Sequence, residues 1–212
     1  MSKSLEKLLS NASSALNGVK PVLGKTILLQ AGQLAIPLLN LLSRTNGFYA
    51  FESALHVFPS QSCGNEIGLN EWNSPELWRG EYGEMIGKCV FFAEDLFGMQ
   101  FCIKQDNIFT FDPETAAFEF VAEDFEGWAK AIEDDSSFLT GFPLAHEWQK
   151  LNGKLPVNKR LLPKIPFVAG GEFSLENMYL GDVVAGMKFR ADLATQIKDL
   201  PNGAHIRFSA VE

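Results

Sequence analysis

The chain has 212 residues, 46% hydrophobic and 21% charged, an ordinary globular composition that excludes wholesale disorder. Phenylalanine is over-represented at 18 residues and supplies a large apolar area for a core. The net charge of −8 is unevenly placed, at +4 for residues 1–50, −15 for 51–147 and +3 for 148–212; so acidic a middle repels phosphate backbones and argues against direct nucleic-acid binding.

In chain order, Leu5, Leu8, Leu9 and Leu16, with Ala12 and Ala15 between them, predict a short amphipathic helix that Gly18 stops. A second helix is expected over Pro21 to Ala35, weakened at Gly24 and Gly32 by roughly 1 kcal/mol each. Pro37 suits the first turn of a third helix, in which Leu38, Leu41, Leu42 and Thr45 share a face and Asn46-Gly47 closes the end. Thr26 to Ser43 is uncharged, but Gln30, Gly32, Gln33, Pro37 and Asn40 make it two amphipathic pieces and not a span of about 20 apolar residues. The N-terminus carries Lys3 and Glu6 with no secretory apolar run, so a soluble, cytoplasmic protein is expected. Phe48 to Pro59 reads as a strand approaching a turn, and residues 60–80 as a loop packed by Trp72, Leu77 and Trp78, with a helix from Pro75 to Tyr82 capped by Ser74.

The middle carries the clearest β signal. Lys88 to Glu94, Met99 to Ile103, Ile108 to Phe111 and Phe118 to Ala122 are short apolar or alternating runs separated by turn residues, which predicts an antiparallel meander. Glu123 or Asp124 then caps a helix from Phe125 to Glu133 that buries Phe125, Trp128, Ala129 and Ile132. Further on, a helix after Pro143 stops at Gly153, and Lys154 to Lys164 is a connector. Ile165–Ala169 and Phe173–Leu180 are expected strands, Asp182 caps a helix reaching Asp199, and Ala204 to Val211 is a final strand.

Catalytic motifs are missing. There is no G-x-G-x-x-G, no phosphate loop, no G-x-S-x-G and no H-E-x-x-H, and Gly170-Gly171 is followed by Glu172, which would repel a phosphate. Cys63, Cys89 and Cys102 form no C-x-x-C pair and are too few for a disulfide scaffold, which fits a reducing compartment. His56, His146 and His205 lie far apart, so neither a metal site nor a cofactor is expected. The adjacent acids Glu94-Asp95, Glu123-Asp124 and Asp134-Asp135 do not form an acid/base pair by spacing. On a strand, neighbours point to opposite faces, and at a helix start acids answer the dipole. Asp112-Pro113-Glu114-Thr115 reads as a hairpin turn and not a metal loop.

Taken in order, the helix ending Asn46-Gly47-Phe48-Tyr49 is followed by Phe51 and Leu55-His56-Val57-Phe58-Pro59. Next come Phe92, Phe97-Gly98, Gln100-Phe101-Cys102 and the Ile108-Phe109-Thr110-Phe111-Asp112-Pro113-Glu114-Thr115 hairpin. The helix start Ala122-Glu123-Asp124-Phe125-Glu126-Gly127-Trp128 completes the set. Over residues 36–135 this series resembles the SUKH superfamily, which holds bacterial immunity proteins and fungal cell-wall (glucan) synthesis regulators. The resemblance implies an α+β fold, a twisted, mostly antiparallel β-sheet flanked by α-helices, with no catalytic residues. It divides the chain into an N-terminal helical segment (1–35), a core (36–137) and a C-terminal α/β extension on the same domain (138–212).

The expected function is a non-enzymatic protein-binding module, an immunity protein that neutralises a cognate bacterial toxin with a basic surface. Glu94, Asp95, Asp106, Glu123, Asp124, Asp134 and Asp135 would supply steering and rim contacts, and Trp72 and Trp78 exposed anchors. The alternatives are a regulatory or scaffold protein of cell-envelope synthesis and a carboxylate-dependent hydrolase. The plainer alternative for the acids is a solvated face that serves solubility.

Overall fold

The computed structural model describes residues 3–201, 203 and 204. The Phe-rich middle forms the expected meander and extends it by two short strands. The strands are β1 (Phe48–Ala50), β2 (Leu55–Val57), β3 (Val90–Glu94), β4 (Gln100–Lys104), β5 (Asn107–Asp112) and β6 (Ala117–Ala122). All neighbours are antiparallel and the order in space is the order in sequence. A second antiparallel pair, β7 (Lys159–Pro163) and β8 (Met178–Asp182), comes from the last third, so the fold is α+β.

Successive residues of a strand point to opposite faces, and both faces of this sheet are covered. On one face Trp128 of α6 (Phe125–Asp134) packs edge-on against Phe92 and Phe101 at 5.2 and 5.7 Å. The same helix supports α1 (Lys3–Ser10), whose first N–H groups at Ser4 and Leu5 donate to the Glu126 carboxylate at 2.8 and 3.1 Å. An anion there satisfies donors that an α-helix leaves unpaired. Gly32 (φ +54°) breaks the next helical run into α2 (Lys25–Ala31) and α3 (Ala35–Arg44). Among the described residues, Lys25–Arg44 is long and apolar enough to cross a membrane by composition; here Ile27, Ala31, Leu34, Leu38, Leu41 and Leu42 are buried in the core.

The opposite face is covered by residues 69–85, expected as a loop up to Ser74 and as a helix from Pro75 to Tyr82. They fold into α4 (Leu69–Trp72), a π-turn (Pro75–Arg79), α5 (Gly80–Tyr82) and a 3-10 turn (Gly83–Met85). Ser74 makes no capping bond; its hydroxyl pairs with Glu76 instead. Trp72, Trp78 and Tyr82 lie in an aromatic chain from Phe58 to Phe91 and Phe111, with centroids 4.8 to 5.7 Å apart. The two tryptophans are therefore sealed in the core and cannot serve as exposed anchors.

Other departures from expectation have local causes. The expected strand over Phe48–Pro59 is a hairpin, turned by Phe51, Glu52 and Ser53 at positive φ with no glycine, asparagine or aspartate among them. The connector over Lys154–Lys164 contains β7, and Pro163 is tolerated because it ends that strand. Pro166 leads the expected strand Ile165–Ala169 into a 3-10 turn, Phe167–Ala169. After α6 come α7 (Ser136–Thr140), α8 (Phe142–Asn152) and α9 (Val183–Ile197), the last capped by Asp182, whose Oδ1 accepts from Val184 and Ala185. The expected final strand falls almost wholly outside the described residues.

The two sheet edges differ. Residues 13–17 run along β1, with Ser13 N donating to Tyr49 O at 2.7 Å and Leu16 N to Gly47 O at 3.0 Å. Gly47 (φ +74°) lets this layer close, since a Cβ there would sit 2.5 Å from Pro59 N. Among the described residues, no backbone group bonds to the outer side of β6.

Candidate functional site

The register places Tyr49, His56, Glu94, Gln100, Phe111 and Phe118 opposite one another, a single row across all six strands on one face. Its first four members are polar. His56 Nδ1 lies 3.1 Å from Glu94 Oε1, and Gln100 donates from Nε2 to Glu94 Oε2 at 3.3 Å and accepts from Trp72 Nε1 at 2.9 Å. Tyr49 stacks on the His56 ring at 4.5 Å and donates its hydroxyl to Glu66. Arg160 of β7 completes the cluster from above, with Nη2 2.9 Å from Glu94 Oε1, an ion pair by distance although its N–H bonds point off the carboxylate. His56, Glu94 and Arg160 are each 1–2% exposed. Sequence patterning gave no sign of this cluster, and it is closed to any substrate; what it joins is the β7–β8 pair to the main sheet.

Burial is the largest influence on Glu94 and acts to raise its pKa, but Arg160, His56 and Gln100 together hold the carboxyl below its usual range. Burial lowers His56, which favours the neutral imidazole. The next residue behaves oppositely. Asp95 directly follows β3, and its Oδ1 accepts from the backbone N–H of Phe97 and Met99, both at 2.8 Å. Burial outweighs those bonds and the nearby Arg160 and Arg190, and raises Asp95 to about 8; burial likewise raises Glu114 to about 7.

An unfolded chain releases such protons near pH 4. Between about pH 4 and 8 the folded protein therefore holds protons that the unfolded chain has lost, and these two groups make stability fall as pH rises. Glu94 has the opposite sign, and its contribution is lost as pH drops through its depressed value. Asp95→Asn keeps the accepting oxygen and is expected to flatten the decline between about pH 5 and 8. Urea midpoints of both proteins across that range measure it, and parallel pH profiles would contradict it.

The surface tells a different story from the core. Glu94 and Asp95 are buried, so neither is a rim contact: β3 is a central strand, and the carboxyls are held by Arg160 and by the 95–99 turn. Asp106, Glu123, Asp124, Asp134 and Asp135 are exposed as expected. Three of them do structural work as well. Asp106 accepts from Gln33 N, Asp124 caps α6 through Gly127 N, and Asp135 caps α7 through Phe138 N. Asp134 pairs with Lys130 one helical turn away. None of these five acids lines the cavity of about 320 Å³ that opens between α7, the start of α8 and the β4–β6 side of the sheet, although its lining begins at Ser137, two residues after Asp135; Phe97, Phe101, Leu139 and Leu144 are among its walls. Asp95 and Glu119 are its two carboxyls, and its lining is mainly apolar. That volume falls within the range of ligand-binding clefts. The sequence signal that could have found it is the run Ser137-Phe138-Leu139, which leaves Phe138 76% exposed.

Among the described residues, no group of three or more His, Cys, Asp or Glu is placed to hold a metal ion. The three cysteines are free thiols, with Cys89 and Cys102 buried. No protein-family model matches the chain, and no curated protein matches it. Its architecture is similar to the crystal structure of Atu4351 from Agrobacterium tumefaciens, with a TM-score of 0.58 and 15% identity over 90% of this chain and 88% of that one. At that identity the likeness is one of fold.

Proposed function

We propose that the chain is a non-enzymatic binding module that docks a basic protein, and that its role is immunity, occluding a toxin in the cytoplasm. The observation that carries this reading is the separation of its charges. The histidine–carboxylate–arginine cluster that could do chemistry is sealed, while the acids of the β6–α6–α7 side face solvent beside an open apolar cavity. An acidic field around an apolar centre suits fast capture of a basic surface. The motif order that resembles the SUKH superfamily and the free thiols support the same reading.

The test begins with tagged protein expressed in its native host and identification of what co-purifies. Glu123→Lys with Asp134→Lys then avoids the two helix caps. This pair is expected to slow association with the captured protein by roughly tenfold at low salt and to flatten its salt dependence. Unchanged association rates would remove the acidic surface from the mechanism.

A further inference from the structure

The β6 edge, to which no described backbone group bonds, and the cavity belong to one surface. Phe101, Thr110 and Glu119 are successive cross-strand partners on β4, β5 and β6, and all three line the cavity. A strand laid along β6 would continue that row, placing every second side chain on the cavity face and one of them opposite the Glu119 carboxylate. The intervening side chains would fall on the other face, where Phe118 and Phe120 follow Phe111 and Phe109 across the sheet. There Phe120 is 60% exposed, and Lys104 already lies over the Phe118 ring at 3.4 Å. One face therefore selects basic heads on apolar stems, and the other selects apolar side chains and repels further cations.

β6 also lacks most of the devices that close an edge. Ala117–Ala122 contains no proline and no lysine, Glu119 is its only charge, and its one bulge lies towards the end, between Phe120 and Ala122. The opposite edge, on β1, is covered by residues 13–17. A second copy of the chain is the wrong occupant by charge, since it would bring another net −8 and the same Glu119, Glu123 and Asp124.

We propose that the β6 edge is a docking strand, and that its ligand is an extended segment of a partner protein in which basic and apolar residues alternate. This deepens the protein-binding reading and rests on it. Backbone pairing along β6 would supply affinity, and the two faces would supply register and selectivity.

The probe is the synthetic peptide acetyl-(Lys-Val)4-amide, with acetyl-(Glu-Val)4-amide as control, followed by amide NMR of the full chain. The lysine peptide is expected to shift the Glu119 to Val121 amides and to slow their hydrogen exchange. Glu119→Lys is expected to weaken it by roughly tenfold, and Phe120→Ser, a surface change, to weaken it without altering the fold. Equal binding of the glutamate peptide, shifts confined to α6 and α7, or no binding would overturn the proposal. So would β6 amides already protected throughout in the free chain, or a concentration-dependent dimer that protects them. If a captured partner binds the wild-type and both variants equally, the docking strand is wrong and the protein-binding reading survives. If the wild-type chain captures no protein, that reading fails whatever the peptide does.

Discussion

Arg160→Ala is expected to destabilise the fold by about 3–5 kcal/mol, because it leaves the buried Glu94 carboxylate without its cation. Glu94 would keep only His56 and Gln100 as partners, and the favourable response is to take up a proton. The variant should therefore lose less stability at acid pH, where a protonated Glu94 no longer needs the guanidinium. Arg160 also holds β7 over the row, so the loss is expected to loosen the β7–β8 pair first. Urea denaturation at about pH 5 and pH 7.5, with hydrogen exchange at Leu161 and Leu180, measures both effects. A loss below about 1 kcal/mol at neutral pH would show that the pair is not what joins the two sheets.

Trp128→Ala is expected to cost a similar amount, about 3–5 kcal/mol. The indole is fully buried between Phe92, Phe101 and Phe125, and α6 carries α1 through Glu126, so a cavity there undermines two helices. Among the described residues its Nε1 has no hydrogen-bond partner. Trp128→Phe removes that unsatisfied donor along with part of the volume, and is expected to cost markedly less than the alanine. Urea midpoints for the two variants test the ranking. An alanine variant as stable as the phenylalanine one would mean that α6 relaxes onto the sheet and closes the hole.

The parts of the fold legible in the sequence are those whose signals are local. β3 to β6 could be read because Asp95-Leu96-Phe97-Gly98, Gln105-Asp106-Asn107 and Asp112-Pro113-Glu114 punctuate runs of β-formers; Asp112 indeed accepts from Glu114 N, two residues on. α6 and α9 were legible through their capping aspartates, 124 and 182. The β1–β2 hairpin was hidden because Phe51, Glu52 and Ser53 adopt a conformation that tertiary packing imposes and their side chains do not favour. The segment around Trp72 and Trp78 was legible in part, as a stretch packed by its tryptophans with a helix after Pro75, but its richness in Asn, Gly and Ser hid the turn of helix Leu69–Trp72.

The acidic pairs show the same limit at the level of function. Glu94-Asp95 and Glu123-Asp124 are alike as dipeptides, but the first follows the apolar Val90–Ala93 run on a central strand and is buried, whereas the second opens a helix in solvent. The Arg160–Glu94 pair and the His56–Glu94 contact arise from strand register and from the return of β7, both long-range. Neither leaves a mark on the local pattern. The cavity beside α7 needs the same long-range information, since its walls come from five separate stretches of chain.

The proposed capture of a basic protein by an acidic, partly apolar face is probed most sharply by its salt dependence. Association between the chain and the protein that co-purifies with it, followed by stopped flow from about 20 to 500 mM salt, is predicted to slow steeply as ionic strength rises while dissociation changes little. An association rate that stays flat across that range, or a captured protein whose contact surface is itself acidic, would contradict it.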